Sequence, residues 1–181
     1  GLEFLGLDNK KPLVFVVGGS QGSGEINDLV YSVRRELSEK YYIAHQTGAG
    51  ASVPPSDIEG YIQLPFIRKE IADVIAAASL VITRAGAGSL WELSAEGKAS
   101  LLIPLRGSGT RGDQVKNAAF FRNNNAAAVL DGEVIGSREL LDEIRDIMET
   151  GRKDELAANI AAMARKDSAS LIAAEIVELI K

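Results

Sequence analysis

Between Arg84 and Gly97 the chain reads Arg-Ala-Gly-Ala-Gly-Ser-Leu-Trp-Glu-Leu-Ser-Ala-Glu-Gly, directly after the apolar run 76–83. That order predicts a strand, a glycine turn and a new helix opening at Ser89. Such a junction can hold an anion. Gly86 and Gly88 carry no Cβ to keep a ligand off the backbone, and the first amides of a helix have no partners within it. Phosphate is the chemistry that fits. Ser89 and Glu92 also form an S-x-x-E pattern, so a second reading stays open, in which both side chains only cap the helix. The same grammar appears earlier, where the apolar run Leu13 to Val17 is followed by Gly18-Gly19-Ser20-Gln21-Gly22-Ser23-Gly24 and a helical stretch. Two such loops suggest one diphosphate held from two sides; the alternative for the first is a tight turn that binds nothing. Neither is a P-loop, because no Lys-Ser or Lys-Thr pair follows the glycines, and neither gives G-x-G-x-x-G with an acidic residue in register.

Other chemistries find little support. His45 is the only histidine and there is no cysteine, so a His-rich metal site, thiolate chemistry and a disulfide scaffold are excluded. His45 has no adjacent Ser or Asp to form a triad, and reads as a hydrogen-bonded structural residue. The formal net charge of −5 and a pI near 5.0 argue against a nucleic-acid surface, which clustered Lys and Arg would have to supply. The longest apolar stretch, Val74 to Ile82, is far short of the roughly 20 residues a membrane span needs.

The elements that must position these residues alternate. Strands are expected at 12–17, 41–46, 61–64, 79–83, 100–103 and 127–130, and helices at 25–39, 68–78, 89–97, 113–123, 138–149, 153–165 and 168–180. Strands that are continuous apolar runs between helices imply an α/β fold, a Rossmann-like parallel sheet with helices on both faces. In such sheets ligands bind beyond the carboxyl ends of the strands, where both glycine loops fall. Residues 1–11 begin without Met and show no clear period, so they read as a linker remnant ahead of one domain at 12–181.

Five motifs together, Gly18 to Ser23, His45-Gln46-Thr47-Gly48, Phe66-Ile67, Arg84 to Glu92 and Asp113-Gln114-Val115-Lys116-Asn117-Ala118, resemble in order and spacing those of the MurG family. The resemblance covers about residues 12–180 and is to the C-terminal, donor-binding domain of these GT-B glycosyltransferases, without the N-terminal acceptor domain. It implies an inverting enzyme that transfers N-acetylglucosamine from UDP-N-acetylglucosamine to a lipid-linked muramyl-peptide acceptor in peptidoglycan synthesis. The full-length protein would be cytoplasmic and peripheral at the inner face of the cell membrane. On this resemblance Ser20 and Gln21, with the backbone around them, would contact the donor diphosphate together with Gly88 and Ser89. Ile67 would read uracil through its backbone N–H and C=O, Glu92 would accept from both ribose hydroxyls, and Gln114 and Asn117 would hold the sugar. Arg84 is a further phosphate candidate, as are Arg106 and Arg111 in the loop 104–112, with solvated loop charge as the alternative. No metal or other cofactor is expected, and the catalytic base is expected on the N-terminal domain, so no catalytic residue lies in this chain. Asp113 departs from the His or Gln usual at its position and leaves the sugar less defined than the nucleotide. The alternatives are a related UDP-sugar glycolipid transferase and a noncatalytic nucleotide-sugar-binding subunit that works with a separate acceptor subunit.

Overall fold

The computed structural model describes residues 1–107, 111–164 and 167–180. Among these, β1 (Leu13–Val17), β2 (Tyr42–Gln46), β3 (Tyr61–Leu64), β4 (Leu80–Thr83), β5 (Ser100–Leu102) and β6 (Ala128–Val129) form one sheet in the order β3-β2-β1-β4-β5-β6. Every neighbouring pair is parallel. This is the doubly wound order, whose direction of winding reverses between β1 and β4.

Period-two alternation divides each strand between two apolar layers. Val14, Val16, Ile43, Leu80, Ile82 and Leu101 face one layer, covered by α1 (Gly24–Lys40) and α5 (Ser137–Glu149). Leu13, Phe15, Ala44, Val81 and Leu102 face the other, covered by α2 (Ile71–Ala77), α3 (Ala87–Ala95) and α4 (Asp113–Asn123). α6 (Arg152–Ala162) lies at the seam, with Leu156 in the first layer and Ile160 in the second. α7 (Ser168–Leu179) contributes no buried residue. The stretch read as a linker is docked: Leu5 is buried in the second layer with Leu2 and Leu7 against it, and Lys11 Nζ donates to Ser38 O at 2.7 Å.

Two boundaries differ from the expected ones in ways that matter for the site. α3 begins at Ala87 with Gly86 as its N-cap, two residues before Ser89. α2 begins at Ile71 rather than 68, because the backbone N–H of Ile67 is held by a side chain from the neighbouring strand and the turn 68–70 intervenes. β6 is shortened to Ala128–Val129, an edge strand paired on one side only.

Candidate functional site

The carboxyl ends of five neighbouring strands carry the expected site residues in a fixed spatial order. From one side to the other lie Ile67 after β3, Gln46 at the end of β2, Ser20 and Gln21 after β1, Gly88, Ser89 and Glu92 after β4, and Gln114 and Asn117 after β5. Four inter-strand steps of about 4.8 Å place the first and last about 19 Å apart along the sheet edge, the reach of an extended nucleoside diphosphate-sugar. β1 and β4 flank the switch point and are tied together at this end, where Thr83 Oγ1 donates to Val17 O at 2.8 Å.

The loop after β4 presents backbone. The first intrahelical bond of α3 runs from Leu90 N–H to Gly86 O at 3.0 Å, so the amides of Ala87, Gly88 and Ser89 precede it, and no side chain caps them. The capping box that the Ser89–Glu92 spacing left open is therefore not formed. Ser89 is the third residue of the helix and Glu92 the sixth, because the turn from β4 closes at Gly86 and Ala87 already has helical neighbours. Both side chains are exposed, and at i, i+3 they share a helix face with each other, as Glu92 does with Gly88 at i, i+4. A Cβ built on Gly86 or on Gly88 would meet no protein atom within 4 Å. These glycines are not required by contacts within this domain; what their small size leaves open is access to the helix start.

The loop after β1 is different. Gly22 has φ +77°, and a Cβ there would lie 2.0 Å from Thr47 O; Gly48 has φ +104°, and its Cβ would lie 2.5 Å from Gln21 O. Here the glycines let two loops pack backbone to backbone. Ser20 and Gln21 stand exposed at the crest of this packed turn, and Ser23 caps α1 by accepting from Ile26 N–H at 3.2 Å.

Beneath these loops lies a buried polar chain. Asn27 Nδ2 donates to Thr47 O at 2.9 Å, which leaves Asn27 Oδ1 to accept from His45 Nε2–H at 3.0 Å and His45 Nδ1 to accept from the Tyr61 hydroxyl at 2.7 Å. Burial pushes the His45 pKa down to about 4, so the ring is neutral and the chain has one consistent proton order. The structural reading of His45 holds. Its neighbour Gln46, only 1% exposed, accepts from Ile67 N–H at 2.8 Å, with its amide Nε2 lying 3.5 Å from Gly19 O. The Ile67 amide expected to face a base is thus engaged internally.

On the other side of the switch point the expected cations are also engaged. Arg84, whose side chain is 13% exposed, donates to Glu25 Oε2 at 2.8 Å, to Ile103 O at 3.0 Å and to Ser23 Oγ at 2.6 Å. Arg106 pairs with the other oxygen of the same carboxylate. Arg111 is exposed, and the segment 108–110 of its loop lies outside the described residues. Gln114 Oε1 accepts from Leu105 N–H at 2.9 Å, and Asn117 Nδ2 donates to Ala85 O at 3.0 Å, so α4 is fastened to the loops after β5 and β4. Asp113 opens α4 and is exposed. Trp91 is exposed and lies edge-on to Phe121 at 5.8 Å. Among the described residues no group of three or more His, Asp or Glu could hold a metal ion, and no helix is long and apolar enough to cross a membrane. Reading residue types along the chain misses Glu25 and Gln46. Glu25 has the position of an ordinary first-turn acid, and Gln46 is marked only by being polar at the end of an apolar strand.

The family and the fold are shown by comparison with known proteins. The model of the glycosyltransferase family 28 C-terminal domain matches residues 13–175. The UDP-N-acetylglucosamine--N-acetylmuramyl-(pentapeptide) pyrophosphoryl-undecaprenol N-acetylglucosamine transferase of Legionella pneumophila (strain Paris) is 37% identical over 98% of this chain, which covers 49% of that protein. The transferase of the same name from Treponema pallidum (strain Nichols) is 35% identical over 90% of the chain and 44% of its own length. The chain thus spans about half the length of these relatives. Among solved structures, Acinetobacter baumannii MurG superposes with a TM-score of 0.79 at 24% identity, covering 96% of this chain and 51% of that one. The calicheamicin glycosyltransferase CalG4 shares the fold at a TM-score of 0.71 and 13% identity, over 95% of this chain and 45% of that one. By the extent of the family match and the identity to these relatives, the chain belongs to the glycosyltransferase family 28 C-terminal domain family.

Proposed function

We propose that this domain binds UDP-N-acetylglucosamine and serves as the donor half of an inverting transferase. Its acceptor would be a lipid-linked muramyl peptide of peptidoglycan synthesis, met at the cytoplasmic face of the membrane by an N-terminal domain. The observation that carries the reading is the uncapped start of α3 at the switch point, where three amides and two glycines with open Cβ positions face the strand ends. An anion there is favoured by the helix dipole and by directed N–H groups. Ile67 lies on the β3 side of it, where a base would extend, and Glu92 shares the α3 face with Gly88 and Ser89; a carboxylate suits the vicinal diol of a ribose because it only accepts. Gln114 and Asn117 stand on the side of the sugar.

In the displacement, the acceptor hydroxyl attacks the anomeric carbon as the bond to the diphosphate breaks. The groups of this chain act on the leaving UDP: preorganised amides meet the charge that develops on it. The base that takes the acceptor proton belongs to the other half. No metal is required, because amides and the Arg84 and Arg106 guanidinium groups supply the positive field. Calorimetric titration of the domain with UDP-N-acetylglucosamine, UDP-glucose and UDP tests the reading. UDP-N-acetylglucosamine is expected to bind more tightly than UDP-glucose. Equal or reversed affinities would move the assignment to a UDP-sugar glycolipid transferase.

A further inference from the structure

We propose that Glu25 is an internal stand-in for the donor diphosphate, holding the arginines of the switch point until phosphate displaces it. The inference rests on the donor reading and adds a competitor to it. One carboxylate takes both cations that flank the loop after β4: Glu25 Oε2 lies 2.8 Å from Arg84 Nη1, and Glu25 Oε1 pairs with Arg106. The two arginines are not held alike. Arg84 keeps Ser23 Oγ at 2.6 Å and Ile103 O at 3.0 Å when Glu25 is set aside, so it stays in place. Among the described residues Arg106 has Pro104 O at 3.4 Å besides Glu25, and it is the side chain that can change partners. Glu25 is itself stable at this spot, on the first turn of α1 where an anion meets the positive end of the helix.

A phosphate entering between the β1 and β4 loops meets two guanidinium groups whose field is partly offset by the one carboxylate they share, and it lies beside a like charge. Its apparent affinity scales with the fraction of molecules in which Arg106 has left Glu25, and is low while that fraction is small. Removing the carboxylate charge is therefore expected to tighten binding, which is unusual for a residue in contact with two candidate ligand groups.

The test compares wild type, Glu25→Gln, Arg106→Ala and the double variant by calorimetry at low salt, with UDP, inorganic pyrophosphate and uridine as ligands. Glu25→Gln should bind UDP and pyrophosphate about fivefold more tightly than wild type and uridine equally, and in the Arg106→Ala background the gain should shrink. Unchanged or weaker binding of both phosphate ligands by Glu25→Gln overturns the inference, and so does a gain that extends to uridine. If wild type binds pyrophosphate but not UDP, the donor reading fails while the pyrophosphate comparison still decides the role of Glu25. Glu25 is one-third exposed and at a helix start, so Glu25→Gln is expected to fold, and its melting curve checks this.

Discussion

Glu92 shows how one residue can be legible by type and misread by position. The S-x-x-E spacing is a genuine capping pattern, but α3 starts two residues early and places Glu92 on its second turn, exposed and without a capping bond. The correction sharpens its test. Because no cap is lost, Glu92→Gln should melt with wild type, while UDP affinity should fall about tenfold as charged acceptance from the ribose diol is removed. A melting shift with unchanged UDP affinity would return Glu92 to a structural role. Ser20, Ser89, Gln114 and Asn117 are legible for a different reason: they follow apolar strand runs, so the fold brings their loops to one edge whatever the details. The engagement of Ile67 by Gln46, and of Arg84 by Glu25, is not legible, because each joins residues from elements far apart in the chain, and no local period records such a contact.

At the scale of elements, the two glycine loops look alike in sequence and differ in physics. Gly22→Ala should unfold or strongly destabilise the domain, since its Cβ would be driven onto Thr47 O at a left-handed backbone position. Gly88→Ala should keep or raise stability by up to about 1 kcal/mol through helix propensity, yet weaken UDP binding by covering the α3 amides. Thermal melts and UDP titrations on the same pair of variants check both halves. The strand under these loops carries the other element-scale prediction. His45 has its folded pKa lowered to about 4 from an ordinary 6.5, so the unfolded chain takes up the proton first. Stability from neutral His45 is complete above about pH 6.5 and is lost as pH falls toward about 4, by about 3 kcal/mol in all. Urea denaturation of wild type and His45→Gln across that window should show a fall in wild type that the variant lacks; parallel curves would show that the ring is not buried neutral. Strand and helix order were readable from apolar runs, as were the parallel sheet and its two layers. The starts of α4 and α7 fall at the expected residues, whereas those of α3 and α2 do not, because they are set by a glycine turn and by a side chain from the adjacent strand rather than by capping residues.

In the molecule as a whole, the carboxyl-end edge of the parallel sheet is the proposed binding surface, and the opposite edge has no assigned role. That opposite edge carries the polar groove of about 480 Å³ between Lys11, Arg35, Ser38 and Asp57, at the amino ends of β1 to β3, which provides an internal control. A uridine diphosphate is proposed to lie across the carboxyl ends of the strands without a metal. Amide chemical shifts of the domain, followed by NMR during UDP titration in EDTA, test it residue by residue. Saturable shifts are expected at Ser20, Gln21, Ile67, Gly88 and Ser89, with a dissociation constant between about 10 μM and 1 mM, as befits a few charge-assisted bonds in half a cleft. Shifts confined to the groove at Lys11 and Asp57, or shifts at the strand ends that appear only when magnesium replaces EDTA, would contradict it.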